Sequence, residues 1–138
     1  MLDLKKDNFF SKRERVYYED TDAGGVVYHA NYLNFMERCR CDWLDSMGFN
    51  VAELQNEGGV MFVVRHADLS FDSPAKLFDQ LTVTVAPLHV GKVKLVVEQK
   101  IYNEDKLLCS GVITLAALGS SNFKLTRIPE PMLKVLVN

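Results

Sequence analysis

The sequence predicts a single α+β domain in which one long helix packs against one antiparallel sheet. Three observations lead there. The run from Asn31 to Met47 repeats its apolar residues with a helical period. Several other runs carry a strand period, and short turn signals separate those after the helix. The length, 138 residues, suits one domain over residues 1–138 with chain enough for one core.

The elements follow in order. Residues 13–19 read as a first strand, because Val16, Tyr17 and Tyr18 favour extended backbone, and Gly24-Gly25 breaks the run. In the helix, Tyr32, Phe35, Met36, Cys39, Trp43 and Met47 fall near the i, i+3, i+4, i+7 pattern, and Leu33 and Leu44 widen that face. Asn31 is the predicted N-cap and Gly48 the C-terminal stop. Residues 51–57 predict a further short helical piece. Residues 60–71 form the next strand, closed by the Asp72-Ser73-Pro74 turn. Residues 80–90 alternate Leu81, Val83 and Val85 against Thr82 and Thr84, and Pro87 marks an edge or a bulge. Residues 92–102 alternate again, and Asn103-Glu104-Asp105 predicts a hairpin turn. Residues 106–118 are apolar on both parities, as in a central strand covered on both faces. The tail, 124–137, reads as a short strand and then a helical turn after Pro129. Such short turns imply antiparallel neighbours. The outer face of the sheet would then be free to pair with a second subunit.

Composition removes several function classes. A net charge of -2 gives no general attraction to nucleic acid or anionic membrane. The first residues, MLDLKKDNFFSKRER, carry charges throughout and have no apolar core, so they do not read as a secretory signal. No apolar run is long enough to span a bilayer. Three cysteines cannot all pair within the chain, and Cys39 and Cys41 point different ways on the helix, which fits reduced thiols. The expectation is a soluble cytoplasmic protein.

The chemistry concentrates in the segment R-V-Y-Y-E-D-T-D-A-G-G-V-V-Y-H-A-N-Y, from Arg15 to Tyr32. Asp22 stands just ahead of the predicted helix start, and the glycines that follow let backbone approach a ligand closely. A helix N-terminus offers free N–H groups and a partial positive charge, which together can hold an oxyanion. A carboxylate in that position can attack a carbonyl carbon or activate a water to do so. His29 and Tyr18 are polar groups able to reach the same place. Asp20 reads as a turn residue and Tyr32 as a core anchor. Arg65 is a candidate phosphate partner, with a solvated or ion-paired arginine as the plainer reading. No G-x-S-x-G occurs, and His29, His66 and His89 lack metal-site spacing, so neither a serine triad nor a metal centre is predicted. No nucleotide-binding glycine pattern occurs either, and no cofactor is expected.

The same segment resembles the signature of the 4-hydroxybenzoyl-CoA thioesterase superfamily. Arg15, Val16, Thr21, Asp22, Gly25, Val26, Val27, Ala30, Asn31 and Tyr32 fill its positions without a gap. The longer string YYEDTDAGGVVYHANYLNFMER is similar to the YbgC-like branch, the Tol–Pal-associated acyl-CoA thioesterases, and the V-V-R and S-P-A elements extend the likeness. The resemblance implies a hotdog fold, a long central helix wrapped by a curved antiparallel sheet of about five strands. It implies hydrolysis of acyl-CoA thioesters without metal or cofactor, in homodimers with active sites at the interface and often in tetramers. An acyl carrier protein is a possible further partner. The catalytic carboxylate would fall on Asp22 and the oxyanion donor on the His29 N–H, with Tyr18 and the His29 side chain as the other polar members and Gly25, Asn31 and Arg65 near the substrate. The aryl branch carries Tyr where this chain has His29, which favours aliphatic acyl groups. Two other readings stand beside hydrolysis: a non-catalytic adaptor for acyl carrier protein or lipid enzymes, and enoyl-CoA hydration, whose Asn-Pro after the aspartate is missing here.

Overall fold

A computed structural model describes residues 9–137. Among them are five strands, β1 (Phe10–Arg15), β2 (Val60–Phe71), β3 (Gln80–Val90), β4 (Lys94–Asn103) and β5 (Lys106–Gly119). Three α-helices accompany them: α1 (Asn31–Ser46), α2 (Val51–Asn56) and α3 (Glu130–Leu136). The strands form one sheet in the order β1-β3-β4-β5-β2, with every neighbouring pair antiparallel. The α+β expectation holds. β5 lies between β4 and β2, as expected of a central strand; Cys109, Ile113, Leu115 and Ala117 on one face are buried, while Val112, Thr114 and Leu118 on the other are half-buried.

The helix buries the predicted face. Phe35, Met36, Cys39 and Trp43 are all within 2% of full burial, as are Leu81, Val83, Val97, Ile101 and Ile113 of the facing strands. Each large apolar side chain so buried stabilises the fold by roughly 1.5–3 kcal/mol relative to exposure. α1 stops at Gly48, whose φ of +93° suits a residue without a Cβ. Asn50 caps α2 by accepting the Glu53 N–H at 3.1 Å. The predicted bulge appears where the β3–β4 register shifts between Pro87 and His89, beyond the end of β1. No helix among the described residues is long and apolar enough to cross a membrane.

Three expectations need correction. β1 ends at Arg15 instead of running to residue 19, because Tyr18–Asp20 wind into a 3-10 turn. The Asp20 carboxylate accepts the Tyr17 N–H at 2.9 Å and holds that turn. Asn31 is not the N-cap: Ala30 occupies that position in helical conformation, without a side-chain cap. The tail makes no strand, only an isolated bridge between Leu118 and Leu125 before α3.

Candidate active site

The segment between the 3-10 turn and α1 folds into a small hairpin. The Gly25 N–H donates to the Asp22 carbonyl at 3.1 Å, and the Asp22 N–H donates to the Val26 carbonyl at 2.9 Å. Gly25 has a φ of +79°, the left-handed conformation that closes a three-residue hairpin loop. Thr21 and Val27 bridge at its base, and Val26 bridges Lys76 on the other side. The connection from β2 to β3 is thereby laid against the hairpin, with the Val27 N–H donating to the Ala75 carbonyl at 2.8 Å. Tyr32 ties α1 to the same connection, since its buried hydroxyl accepts the Ala75 N–H at 3.1 Å.

Asp22 sits on the exposed tip of this hairpin. Its Oδ1 accepts the Gly24 N–H at 2.8 Å, while Oδ2 has no hydrogen-bond partner among the described residues. One oxygen is therefore held and the other is available. Asp20 behaves differently. It is 7% exposed, and its carbonyl accepts the Tyr28 N–H at 3.0 Å and the Asn31 side-chain amide at 2.9 Å. Asp20 and Asn31 thus fasten the hairpin to the start of α1, and Asn31 Oδ1 takes a further bond from Asn34. The turn role read for Asp20 agrees with this geometry.

His29 follows the hairpin at the entrance to α1. Its N–H makes no hydrogen bond to a described residue, whereas the Asn31 N–H is already bonded to the Tyr28 carbonyl at 2.8 Å. The imidazole lies 4.5 Å from the Tyr28 ring and 6.4 Å from the Phe71 ring. His29, Tyr32, Phe71 and the Asp72-Ser73-Pro74 turn line an open cleft of about 270 Å³. Phe71 was not visible as a site residue in the sequence. The signal available for it was its place beside the polar turn that ends β2.

The remaining candidates lie apart. Tyr18 is 73% exposed and packs edge-on against Phe78, with ring centroids 5.5 Å apart. Phe78 in turn lies under the Arg15 guanidinium at 5.0 Å. No hydrogen bond, ion pair or ring contact joins the side chains of Tyr18, Asp22 and His29 among the described residues, although the backbone runs of 20–22 and 26–28 lie side by side. Arg65 is exposed at the bulge between Val64 and His66 in β2, and it is not among the residues that line the cleft at His29. No group of three or more His, Cys, Asp or Glu side chains among the described residues is placed to hold a metal ion.

A family model described as "Thioesterase superfamily" matches residues 24–110. The acyl-CoA thioesterase YbgC of Haemophilus influenzae is 37% identical over 124 residues, spanning 90% of this chain and 91% of that protein. The acyl-CoA thioesterase YbgC of Helicobacter pylori is 46% identical over 90 residues, 65% of each chain. Among solved structures, a probable thioesterase from Bartonella henselae superposes with a TM-score of 0.84 at 35% identity, covering 88% of this chain and 99% of that one.

Proposed function

The chain belongs to the thioesterase superfamily, and we propose that it hydrolyses aliphatic acyl-CoA thioesters, with Asp22 as its catalytic carboxylate. Its fold is the hotdog arrangement, and acyl-CoA thioester hydrolysis is the activity carried in the names of its curated relatives. The observation that carries the finer reading is the exposed Asp22 carboxylate, one oxygen held by the Gly24 N–H and the other without a partner, on a hairpin fastened to the start of α1.

In this mechanism the thioester carbonyl lies against the unbonded His29 N–H, which stabilises the negative charge that develops on oxygen. A donor of that kind is worth about 2.7–4 kcal/mol in a transition state. Asp22 then acts in one of two ways. Its oxygen attacks the carbonyl carbon, the coenzyme A thiolate leaves, and water hydrolyses the resulting mixed anhydride. Alternatively the carboxylate removes a proton from a water that attacks directly. The His29 ring flanks the cleft and orients the acyl end, and Tyr18, exposed beside Phe78 in the turn that leads into the hairpin, helps to orient the substrate. No step needs a metal. A carrier-protein thioester presents the same reacting bond, so acyl carrier protein is a second possible donor.

We read the working unit as a homodimer. β2 stands at the end of the sheet with its outer edge unpaired among the described residues, and a strand of 12 residues with a free edge is suited to pair with a second copy. Asp22 does not itself line the cleft at His29 within one chain, so a second subunit could complete the site. Light scattering tests this reading, and a monodisperse, fully active monomer would end it.

Replacing the catalytic carboxylate is the direct test of the mechanism. Asp22→Asn removes the negative charge and keeps the shape, so release of coenzyme A should fall to near background while the circular dichroism spectrum stays unchanged. A folded Asp22→Asn protein with near-parent turnover would sink the assignment. One turnover with enzyme in excess in ¹⁸O-water tests for the anhydride route. An unlabelled first acid with label left in Asp22 requires an anhydride that water opens at the Asp22 carboxyl carbon, whereas a labelled first acid means that water attacked the acyl carbon.

A further inference from the structure

Polar side chains tie α1 to the rest of the fold at more than one level. Midway along the helix, Arg40 Nη1 donates to Oε1 of the buried Gln99 on β4 at 2.9 Å. At the start of the helix the contacts converge on one atom, the carbonyl oxygen of Asp20. The Tyr28 N–H donates to it at 3.0 Å, and Asn31 Nδ2 donates to it at 2.9 Å. Tyr28 and Asn31 are the first and last residues of a four-residue turn, closed by the Asn31 N–H on the Tyr28 carbonyl at 2.8 Å. His29 and Ala30 are its central residues. Both ends of the turn therefore hang on one carbonyl oxygen, and both lone pairs of that oxygen are taken.

The same oxygen belongs to the run that carries Asp22. Two residues on, the Asp22 N–H is bonded to the Val26 carbonyl, and Thr21 bridges Val27. Asp20 is itself held in place: it is 7% exposed, and its carboxylate accepts the Tyr17 N–H at 2.9 Å. One fixed peptide thus fastens both working parts, the hairpin with Asp22 and the turn with the unbonded His29 N–H. The Tyr28 bond alone would leave the turn a hinge, since it holds one end. Asn31 supplies the second anchor. Its Oδ1 accepts from Asn34 Nδ2 at 2.9 Å, which turns its own Nδ2 toward Asp20.

We propose that Asn31 is a positioning residue for the hydrolysis. Its side-chain amide sets where the His29 N–H stands relative to the Asp22 carboxylate, through the shared Asp20 carbonyl. The proposal rests on the reading of Asp22 as the catalytic carboxylate and of the His29 N–H as the donor to the thioester oxygen. Both polar atoms of Asn31 are engaged within the chain, so it acts on the reaction through the turn and not by touching the substrate. Misplacing a reacting group by about 1 Å can cost on the order of a hundredfold in rate. By that measure a turn released at one of its two anchors should lose at least about tenfold in kcat.

Two variants test this. Asn31→Ala removes the amide at a half-buried position where alanine suits a helix. Asn31→Asp keeps the shape, removes the N–H donors and adds a negative charge that a helix start favours. Each is assayed for Tm and for coenzyme A release from the saturated acyl-CoA that the unaltered chain hydrolyses fastest. Binding of that acyl-CoA is measured by calorimetry in the Asp22→Asn background. In both variants kcat should fall at least about tenfold, while KM and the dissociation constant stay within about twofold. Tm should fall only by what one neutral hydrogen bond accounts for, about 2–6 °C. A purely structural role would lower Tm and leave the kcat of the folded protein unchanged, and a substrate contact would weaken binding. Either result in a variant that folds overturns the proposal, and Asn31→Asp decides where Asn31→Ala does not fold. Failure of the underlying reading shows elsewhere, as near-parent turnover in Asp22→Asn. Failure of this proposal alone leaves Asp22→Asn inactive and the Asn31 variants at the parent kcat.

Discussion

Gly24 and Gly25 stand side by side after Asp22 but resist substitution for different reasons, and Gly24→Ala and Gly25→Ala separate them. Gly24 lies outside the left-handed region, yet a Cβ there would meet Asp22 Oδ1 at 3.2 Å. The carboxylate must yield by a few tenths of an ångström, which stretches its 2.8 Å bond from the Gly24 N–H. A hydrogen bond to a charged group contributes about 1.5–3 kcal/mol. Losing about half of it costs roughly 1 kcal/mol, or about fivefold in turnover if Asp22 drives the reaction. Stability should fall by no more than about 0.6 kcal/mol, because the roughly 0.4–1 kcal/mol by which alanine restricts the unfolded chain offsets most of that loss. At Gly25 a Cβ meets nothing within 4 Å, but the φ of +79° penalises any L side chain. That conformation costs about 1–2 kcal/mol, so Gly25→Ala should lower Tm by roughly 4–10 °C. Thermal denaturation followed by circular dichroism reads the second effect, and coenzyme A release with a thiol reagent reads the first. An unchanged kcat in Gly24→Ala would refute the claim that this bond holds the working carboxylate. An unchanged Tm in Gly25→Ala would refute the strain argument.

Two further predictions concern the core. Gln99→Leu removes the only described hydrogen-bond acceptor of a buried guanidinium and should cost about 2–4 kcal/mol in urea denaturation, with Arg40→Met added in the same chain restoring part of the loss; strictly additive single variants would show the pair uncoupled. Burial pushes the Cys39 and Cys109 thiols from 9.0 up to about 12, so their contribution to stability is complete below the unfolded value and is lost as pH rises toward 12. The denaturation midpoint should therefore fall between pH 9 and 11, and the fall should flatten in the Cys39→Ala, Cys109→Ala double variant.

What could be read from the residues, and what could not, divides along the range of the interactions involved. β2 and β3 start and end where alternation and turn residues put them, and α1 closes at the glycine that its pattern ran into. Those boundaries depend on neighbours in sequence. The Asn31 cap failed because the asparagine side chain bonds the Asp20 carbonyl, a partner eleven residues away, and so ties the helix to the preceding turn instead of capping its own first turn. β1 stopped short for a related reason: Tyr17 and Tyr18 have strand propensity, but the Asp20 carboxylate captures the Tyr17 N–H and winds the chain. Propensity weighs a residue by itself and cannot see a hydrogen bond that decides between two conformations.

The same distinction separates the surroundings of Asp22 from the buried pair. The turn, the glycines and the helix start around Asp22 lie within one short segment, and the hydrogen bond on its carboxylate is made inside it, so that geometry was legible. The Arg40–Gln99 pair joins residues 59 apart. Each nevertheless left a trace. Gln99 shares the parity of Leu95, Val97 and Ile101, all buried, and Arg40 lies on the buried stripe of α1 beside Cys39 and Trp43. A polar residue at an inward position in two separate elements implies a buried partner, since an unpaired polar group there costs about 1–3 kcal/mol in protein interiors. The pattern identifies such a pair as a question, and only the fold can say that the two answer each other.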